Sequence, residues 1–463
     1  MNIIEASEFD GYWKQQAAAA RDEAAETAVK DIIAAVRNEG DAAVRRYAAR
    51  FDKSAPAKAE VPLAAAKAAW EELAAGDPEL AAALELAAGH IRRFALEQKK
   101  QFVDFEYEMA PGLFTGQRVV PVERAAVYAP GGRFSLISSV LMGVIPAIAA
   151  GVSDVFLVSP PGANGLPDDR ILAAAHLAGA RRVFALGGAQ AIAALALGTE
   201  TIPRVDLIAG PGNKYVAAAK RILYGEVGID FVAGPTDVLV ISDAGAAPSG
   251  STGSAGTVSG RNAAGMAAAD LRATEAAADL IAADMLAQAE HDPEARARAL
   301  VPGRTAAEKI AAALAKRLAL LPAESPAHAS LEAGGLIIIY QNRDEAVRIA
   351  NAIAPEHLEL QTKDAEGWLL RLKNYGSLFS GPLAAEVMGD YSAGINHTLP
   401  TSGSARYTGG LSVRHFLKTL TTLRCAPGEG FEAARRAAET IARAEGLTAH
   451  AQSAAAREEP PFQ

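Results

Sequence analysis

Cysteine occurs once in this chain, as Cys425, so neither an internal disulfide nor a multi-cysteine metal site can form. A lone thiol suits a reducing cytoplasm. The formal charge is −9, with no long basic run, so nucleic-acid phosphates would find little to neutralise them and no nucleic-acid partner is expected. The best apolar run, around Leu141 to Val152, is too short to span a bilayer and contains Pro146. The N-terminus lacks the basic start and apolar core of a signal peptide. A soluble, cytoplasmic protein without membrane attachment is expected. No Gly-x-Gly-x-x-Gly follows a strand pattern, so the standard dinucleotide fingerprint is missing.

The chain has 463 residues, half of them hydrophobic, which is too long for one core. Residues 1 to about 115 read as mostly helical, with amphipathic stretches such as Glu23–Asn38 and Leu63–Ala75. From Arg124 short β-rich runs alternate with helical patterns. The expected strands are Ala125–Tyr128, Asp154–Val158, Arg182–Leu186, Val205–Ala209 and Asp237–Ser242, followed later by Gly335–Tyr340, Leu358–Gln361 and Ser377–Ser380. The alternation predicts an α/β fold with a doubly wound parallel sheet, and the later strands a second α/β unit. Residues 244–262 are Gly/Ser-rich and linker-like.

Histidine is scarce, with eight in all, yet four stand beside a carboxylate or carboxamide. These clusters are Gln288-Ala-Glu-His291, Glu356-His357, Asp390 to His397 and Glu445 to His450. Imidazole nitrogen and carboxylate oxygen suit zinc, and histidine titrates near neutral pH, so an enzyme is the leading expectation. Taken singly, each cluster also has a plain structural reading. Gln288 and His291 share one helix face, as a metal pair or a solvated helix end would. Asp390 fits an Asx turn, and His450 a helix C-terminus. Glu356-His357 could divide two proton transfers or simply open a strand. His90, His176, His328 and His415 have no such company. The loops Tyr128-Ala-Pro-Gly-Gly132, Gly187-Gly-Ala-Gln190 and Gly210-Pro-Gly-Asn213 each follow an expected strand, where open α/β sheets bind ligands.

In order and spacing these segments resemble histidinol dehydrogenases over nearly the whole chain. The carriers include Ser138-Ser-Val-Leu-Met142, Val232-Ala-Gly-Pro, Ala354-Pro-Glu-His-Leu-Glu-Leu360, Asn396-His-Thr-Leu-Pro-Thr401 and Leu447-Thr-Ala-His450, besides the clusters and loops above. The resemblance implies an NAD-dependent, zinc-containing enzyme that oxidises L-histidinol through the aldehyde to L-histidine, the last step of histidine biosynthesis. It implies one zinc per subunit, held by Gln288, His291, Asp390 and His450. Glu356 and His357 would be the catalytic acid/base pair, and Tyr128, Gln190 and Asn213 would contact NAD. Thr236, His397 and Glu445 would contact substrate, together with His357 and the zinc ligands.

It also implies a homodimer of subunits with two Rossmann-like domains. The expected division is a helical arm at 1–25, a first domain at 26–127 plus 237–410, an NAD-binding domain at 128–236, and a helical segment at 411–463 that crosses to the other subunit. Two positions depart from the family pattern. Arg133 stands in a loop that often carries small residues, and could anchor an anion or merely lie at a loop mouth. Thr236-Asp237 replaces the usual Ser-Glu and keeps both chemistries. Arg133 motivates an alternative, a paralogous dehydrogenase of another polar or anionic alcohol such as a sulfonated diol. A zinc hydrolase without nicotinamide and a non-catalytic scaffold are further alternatives.

Overall fold

A computed structural model describes residues 1–17, 23–131, 135–244 and 260–458. Arg133 and most of the Gly/Ser-rich stretch therefore lie outside the described residues. Two six-stranded sheets and a three-stranded ribbon organise the rest. The first sheet runs Asn2–Glu5, Leu336–Ile339, Arg296–Val301, Asp237–Ser242, His357–Gln361, Ser377–Ser380, all parallel. The second runs Glu60–Val61, Arg182–Ala185, Asp154–Ser159, Arg124–Tyr128, Leu207–Ala209, Gly228–Ile229, parallel except for its first pairing. In each sheet the chain winds outward both ways from a central strand, 237–242 or 124–128, which is the doubly wound α/β pattern.

The inner strands of both sheets are buried on both faces, and their near-continuous Val, Ile, Leu and Ala content is what that demands. The apolar run at 141–152 is explained the same way. Helix Ile137–Ala150 is buried along most of its length against the second sheet. Gly143 makes that approach possible, since a Cβ there would lie 2.3 Å from Val127 Cγ1. No helix among the described residues is long and apolar enough to cross a membrane.

Several expectations need correction. Strand 296–301 was hidden in an Arg-Ala alternation whose alanines read as helical, but burial inside the first sheet overrides that propensity. Residues 1–115 are mostly helical, as expected, but they also carry strands that the sequence reading missed. Asn2–Glu5 adds an edge strand to the first sheet, and Phe105–Ala110 and Leu113–Pro121 form an antiparallel hairpin. The helices between 23 and 99 pack on the second sheet, Val29 to Ala48 on one face and Ala66 to Ala95 on the other. Their apolar stripes thus join the core of strands 124–229, not that of the first sheet with which 26–127 had been grouped. Ala6 and Phe9 of the N-terminal segment do join the first sheet's core.

The C-terminal segment begins with Leu417–Cys425, which pairs antiparallel with 113–121 and completes the ribbon. Two helices follow, Glu429–Ala444 and Thr448–Ala455, instead of one long helix. Gly446, at φ 78°, makes the break, because that left-handed conformation ends a helix and is cheap only for glycine.

Candidate active site

Three of the four polar clusters converge at the amino-terminal edge of the first sheet. Thr236 precedes one central strand and Glu356 its neighbour, with His357 opposite Val238 in the register. The helix ending at Ala289 runs back along the sheet and delivers Gln288 to this edge. Ala354, at φ 50°, closes helix Arg343–Ile353 in a conformation strained for alanine and turns the chain so that Pro355 leads into the doublet. Helix Glu386–Tyr391 brings Glu386 and Asp390, one turn apart, onto the same cluster.

Glu356 Oε2 accepts hydrogen bonds from Thr236 Oγ1 and from the Asp237 amide, the latter at 3.1 Å. The Gln288 carboxamide lies between Thr236 Oγ1 and Glu386 Oε1, 2.9 Å from each. His357 Nδ1 is 3.5 Å from Glu386 Oε1, and its Nε2 is 3.6 Å from Asp390 Oδ1. That Nε2 is buried and has no hydrogen-bond partner among the described residues. A buried imidazole nitrogen of this kind is a cost unless a ligand's donor or acceptor meets it. His291 Nε2, more exposed, stands 3.7 Å from the other Asp390 oxygen. His397 Nδ1 donates to the Asp390 carbonyl at 3.0 Å, so its Nε2 accepts from Ser139 Oγ at 3.2 Å. Ser139 belongs to the second sheet's helix, and through it the two halves of the molecule meet at the site.

Burial pushes the Glu356 carboxyl up to about 7, against the opposing pull of His357 and the Thr236 hydrogen bond. A carboxyl near neutrality is suited to general-base work. Burial alone would lower His357, but Glu386, Glu356 and Asp390 outweigh it and hold the imidazole well above its ordinary range. Burial raises Glu386 strongly, with Asp390, Glu359 and Glu356 adding to it. Asp390 stays low because His357, His397 and His291 outweigh its burial. Burial lowers His291 and His397, which leaves neutral imidazole nitrogens. This surplus of carboxylates over cations suits a divalent ion. One ligand atom each from His291, Glu386 and Asp390 all lie within 4.8 Å of one another, so the residues present fit a metal.

Glu386 is the residue missed in the sequence. It stands four positions before Asp390 on a short helix, and only that spacing could have pointed to it. Glu445 and His450 are not brought to this cluster within the chain. Both are exposed, Glu445 between the two helices that follow the ribbon and His450 on the second of them.

The three glycine-bearing loops lie at the carboxyl edge of the second sheet, around its switch point between strands 124–128 and 207–209. Tyr128 Oη accepts from the Gly188 amide at 3.1 Å, and Gln190 Nε2 donates to Asp52 at 3.4 Å. Asn213 caps helix Lys214–Leu223, its Oδ1 accepting from the Tyr215 and Val216 amides at 3.0 and 3.1 Å. These three residues thus line one edge.

The family model for histidinol dehydrogenase matches residues 15–251 and 267–458. The chain belongs to the histidinol dehydrogenase family. The match is interrupted at 252–266, which overlaps the Gly/Ser-rich stretch. Histidinol dehydrogenase of Thermus thermophilus is 43% identical over 433 residues, covering 93% of this chain and 94% of that protein. The enzyme of Pseudomonas aeruginosa is 41% identical over 436 residues, covering 94% and 91%. The solved structure of histidinol dehydrogenase from Elizabethkingia anophelis superposes with a TM-score of 0.81 at 32% identity, covering 95% of this chain and 92% of that one. The mixed α/β architecture with parallel sheets is the one this family has.

Proposed function

We propose that the protein oxidises L-histidinol, through L-histidinaldehyde, to L-histidine in the cytoplasm, with two NAD as oxidant and one zinc per subunit. Family membership makes it an oxidoreductase acting on CH–OH groups with NAD. The observation that carries the residue roles is the buried Glu356–His357 doublet with an unpartnered imidazole nitrogen beside a metal-capable cluster.

Gln288, His291 and Asp390 would hold the zinc, with His450 supplied by the other subunit of a homodimer. When bound, the metal would supply a Lewis acid for the substrate's imidazole and amino groups and a positive charge that relieves the carboxylate surplus. With Glu386 and Asp390 offset by the metal's charge, His357 would be neutral, and its Nε2 would take the proton from the substrate hydroxyl as hydride leaves the carbinol carbon. Glu356, poised near neutral pH, takes a proton from the water that hydrates the aldehyde. His357 then removes a proton from the hydrate during the second oxidation. Thr236, His397 and the partner's Glu445 orient the substrate, and burial of the doublet keeps bulk water away from it. Tyr128, Gln190 and Asn213 contact NAD. A thiohemiacetal route has no nucleophile here, because Cys425 is exposed at the end of the ribbon.

The homodimer reading is supported by the C-terminal segment. Leu420, Leu423, Ile441 and Leu447 are exposed on the ribbon and helix pair, an apolar surface that a partner would cover. We propose that each sheet with its helices forms one domain and that residues 411–463 cross between subunits. Nothing described at the site favours an anionic substrate over histidinol.

The test is NADH formation from L-histidinol and NAD by zinc-loaded protein, with product measured alongside. The expected result is two NADH per histidine, lost with a chelator and restored by zinc. Folded, metal-loaded protein that forms no NADH would refute the reading.

A further inference from the structure

We infer that the buried pair Asp237–Arg298, which has no place in the reaction above, is a positioning device for the Glu356 carboxylate. The inference rests on the reading of Glu356 as the water-activating base. Asp237 and Glu356 hold each other reciprocally across adjacent strands. Asp237 Oδ1 accepts from the Glu356 amide at 3.0 Å, and Glu356 Oε2 accepts from the Asp237 amide at 3.1 Å. The second Asp237 oxygen is fixed by Arg298 NH1 at 2.7 Å. Asp237 is opposite Arg296 in the register, so Arg298 is its diagonal neighbour on the same face, within reach of a long side chain. The far side of the guanidinium is covered by the Trp13 ring, its centroid 5.2 Å away.

Arg298 and Asp237 are 4% and 6% exposed. A buried ion pair is weak evidence for stability, since apolar residues of similar volume often serve as well or better. Here the hydrogen bonds that link Asp237 to the neighbouring strand end both run to Glu356. Glu356 Oε2 is occupied by the Asp237 amide and Thr236, while among the described residues Oε1 receives no hydrogen bond and remains to take a proton. Loosening Asp237 would free the Glu356 backbone and let its carboxylate drift from the water it must meet. A displacement of about 1 Å can cost on the order of 10²-fold in rate.

The alcohol–aldehyde step does not need activated water, so the effect must fall on aldehyde oxidation. Arg298→Lys and Asp237→Asn would be assayed with L-histidinol and, separately, with supplied L-histidinaldehyde, beside Glu356→Gln and each double variant. Aldehyde oxidation should lose about 10²-fold in kcat, with KM and the alcohol–aldehyde step changed by less than about threefold. Neither substitution should add to the loss in the Glu356→Gln background. Equal losses in both half-reactions, losses that multiply with Glu356→Gln, or failure of both single variants to fold would overturn the inference and leave the pair structural. If Glu356→Gln itself spares aldehyde oxidation, the base assignment fails first, and the positioning role falls with it.

Discussion

Glu359 lies two residues beyond His357 on the same strand face and is buried behind the Glu356–His357 doublet. Burial pushes its carboxyl up to about 8, and the neighbouring Asp284 adds to this. The Glu386 amide, which donates to Glu359 Oε1 at 3.0 Å, and Gln361, at 3.2 Å from Oε2, oppose the shift. Because the folded value is raised, Glu359 binds its proton more tightly in the folded chain than in the unfolded one. Its contribution is fully present below the ordinary glutamate range, near 4.5, and is lost as pH rises through about 8. The metal-free protein should therefore show a falling thermal midpoint across that window. Glu359→Gln, which cannot ionise, should flatten the fall, as followed by calorimetry at a series of pH values. An unchanged slope would mean that Glu359 is already ionised in the folded state. At this scale the doublets of histidine with acid or amide were visible in the sequence, because those residue types are rare and stood together. Glu386 was not, since a lone glutamate in Leu383-Ala-Ala-Glu-Val-Met-Gly-Asp390 looks like any solvated helix position.

The loop Gly210–Asn213 shows what an element contributes. Gly210 sits at φ 108°, and a Cβ there would lie 2.2 Å from the Tyr128 carbonyl oxygen, so the loop closes on its neighbour only with glycine. Asn213 spends its carboxamide oxygen on two helix amides, and among the described residues its nitrogen makes no hydrogen bond. Asn213→Ala should cost about 1 kcal/mol of stability through the lost cap. It should also raise KM for NAD more than KM for histidinol. Thermal melts and two-substrate kinetics would show both, and a rise confined to histidinol would place Asn213 away from the nucleotide. The strands around this loop were readable from the sequence because each is a short β-rich run bounded by turn residues. The hairpin 105–121 also carried its signal, an alternation of Phe105, Tyr107 and Met109 with Glu106 and Glu108 before Pro111-Gly112, which the preceding Ala-rich helices obscured.

At the scale of the whole molecule, His450 and His357 lie in different parts of the chain, one on the C-terminal helix pair and one at the first sheet's edge. If each site draws His450 from the partner subunit, two dead variants can rescue each other. His450→Ala mixed with His357→Ala and allowed to exchange should regain about a quarter of wild-type activity, since half the dimers are mixed and each has one intact site. No recovery after exchange verified by mass would mean that the sites are not shared.

The sequence by itself determined the local chemistry and the rhythm of the elements. Side-chain types near one another in the chain, and the periods of two and 3.6, are properties of short segments. The tertiary structure decided what depends on distance in space. It placed Thr236, Gln288, Glu356, Glu386 and Asp390 at one edge of the first sheet, although they span more than 150 residues of chain. It also sent the helices of 23–99 to the second sheet. An amphipathic stripe specifies that it must be buried but not against which surface, and only the packed fold makes that choice.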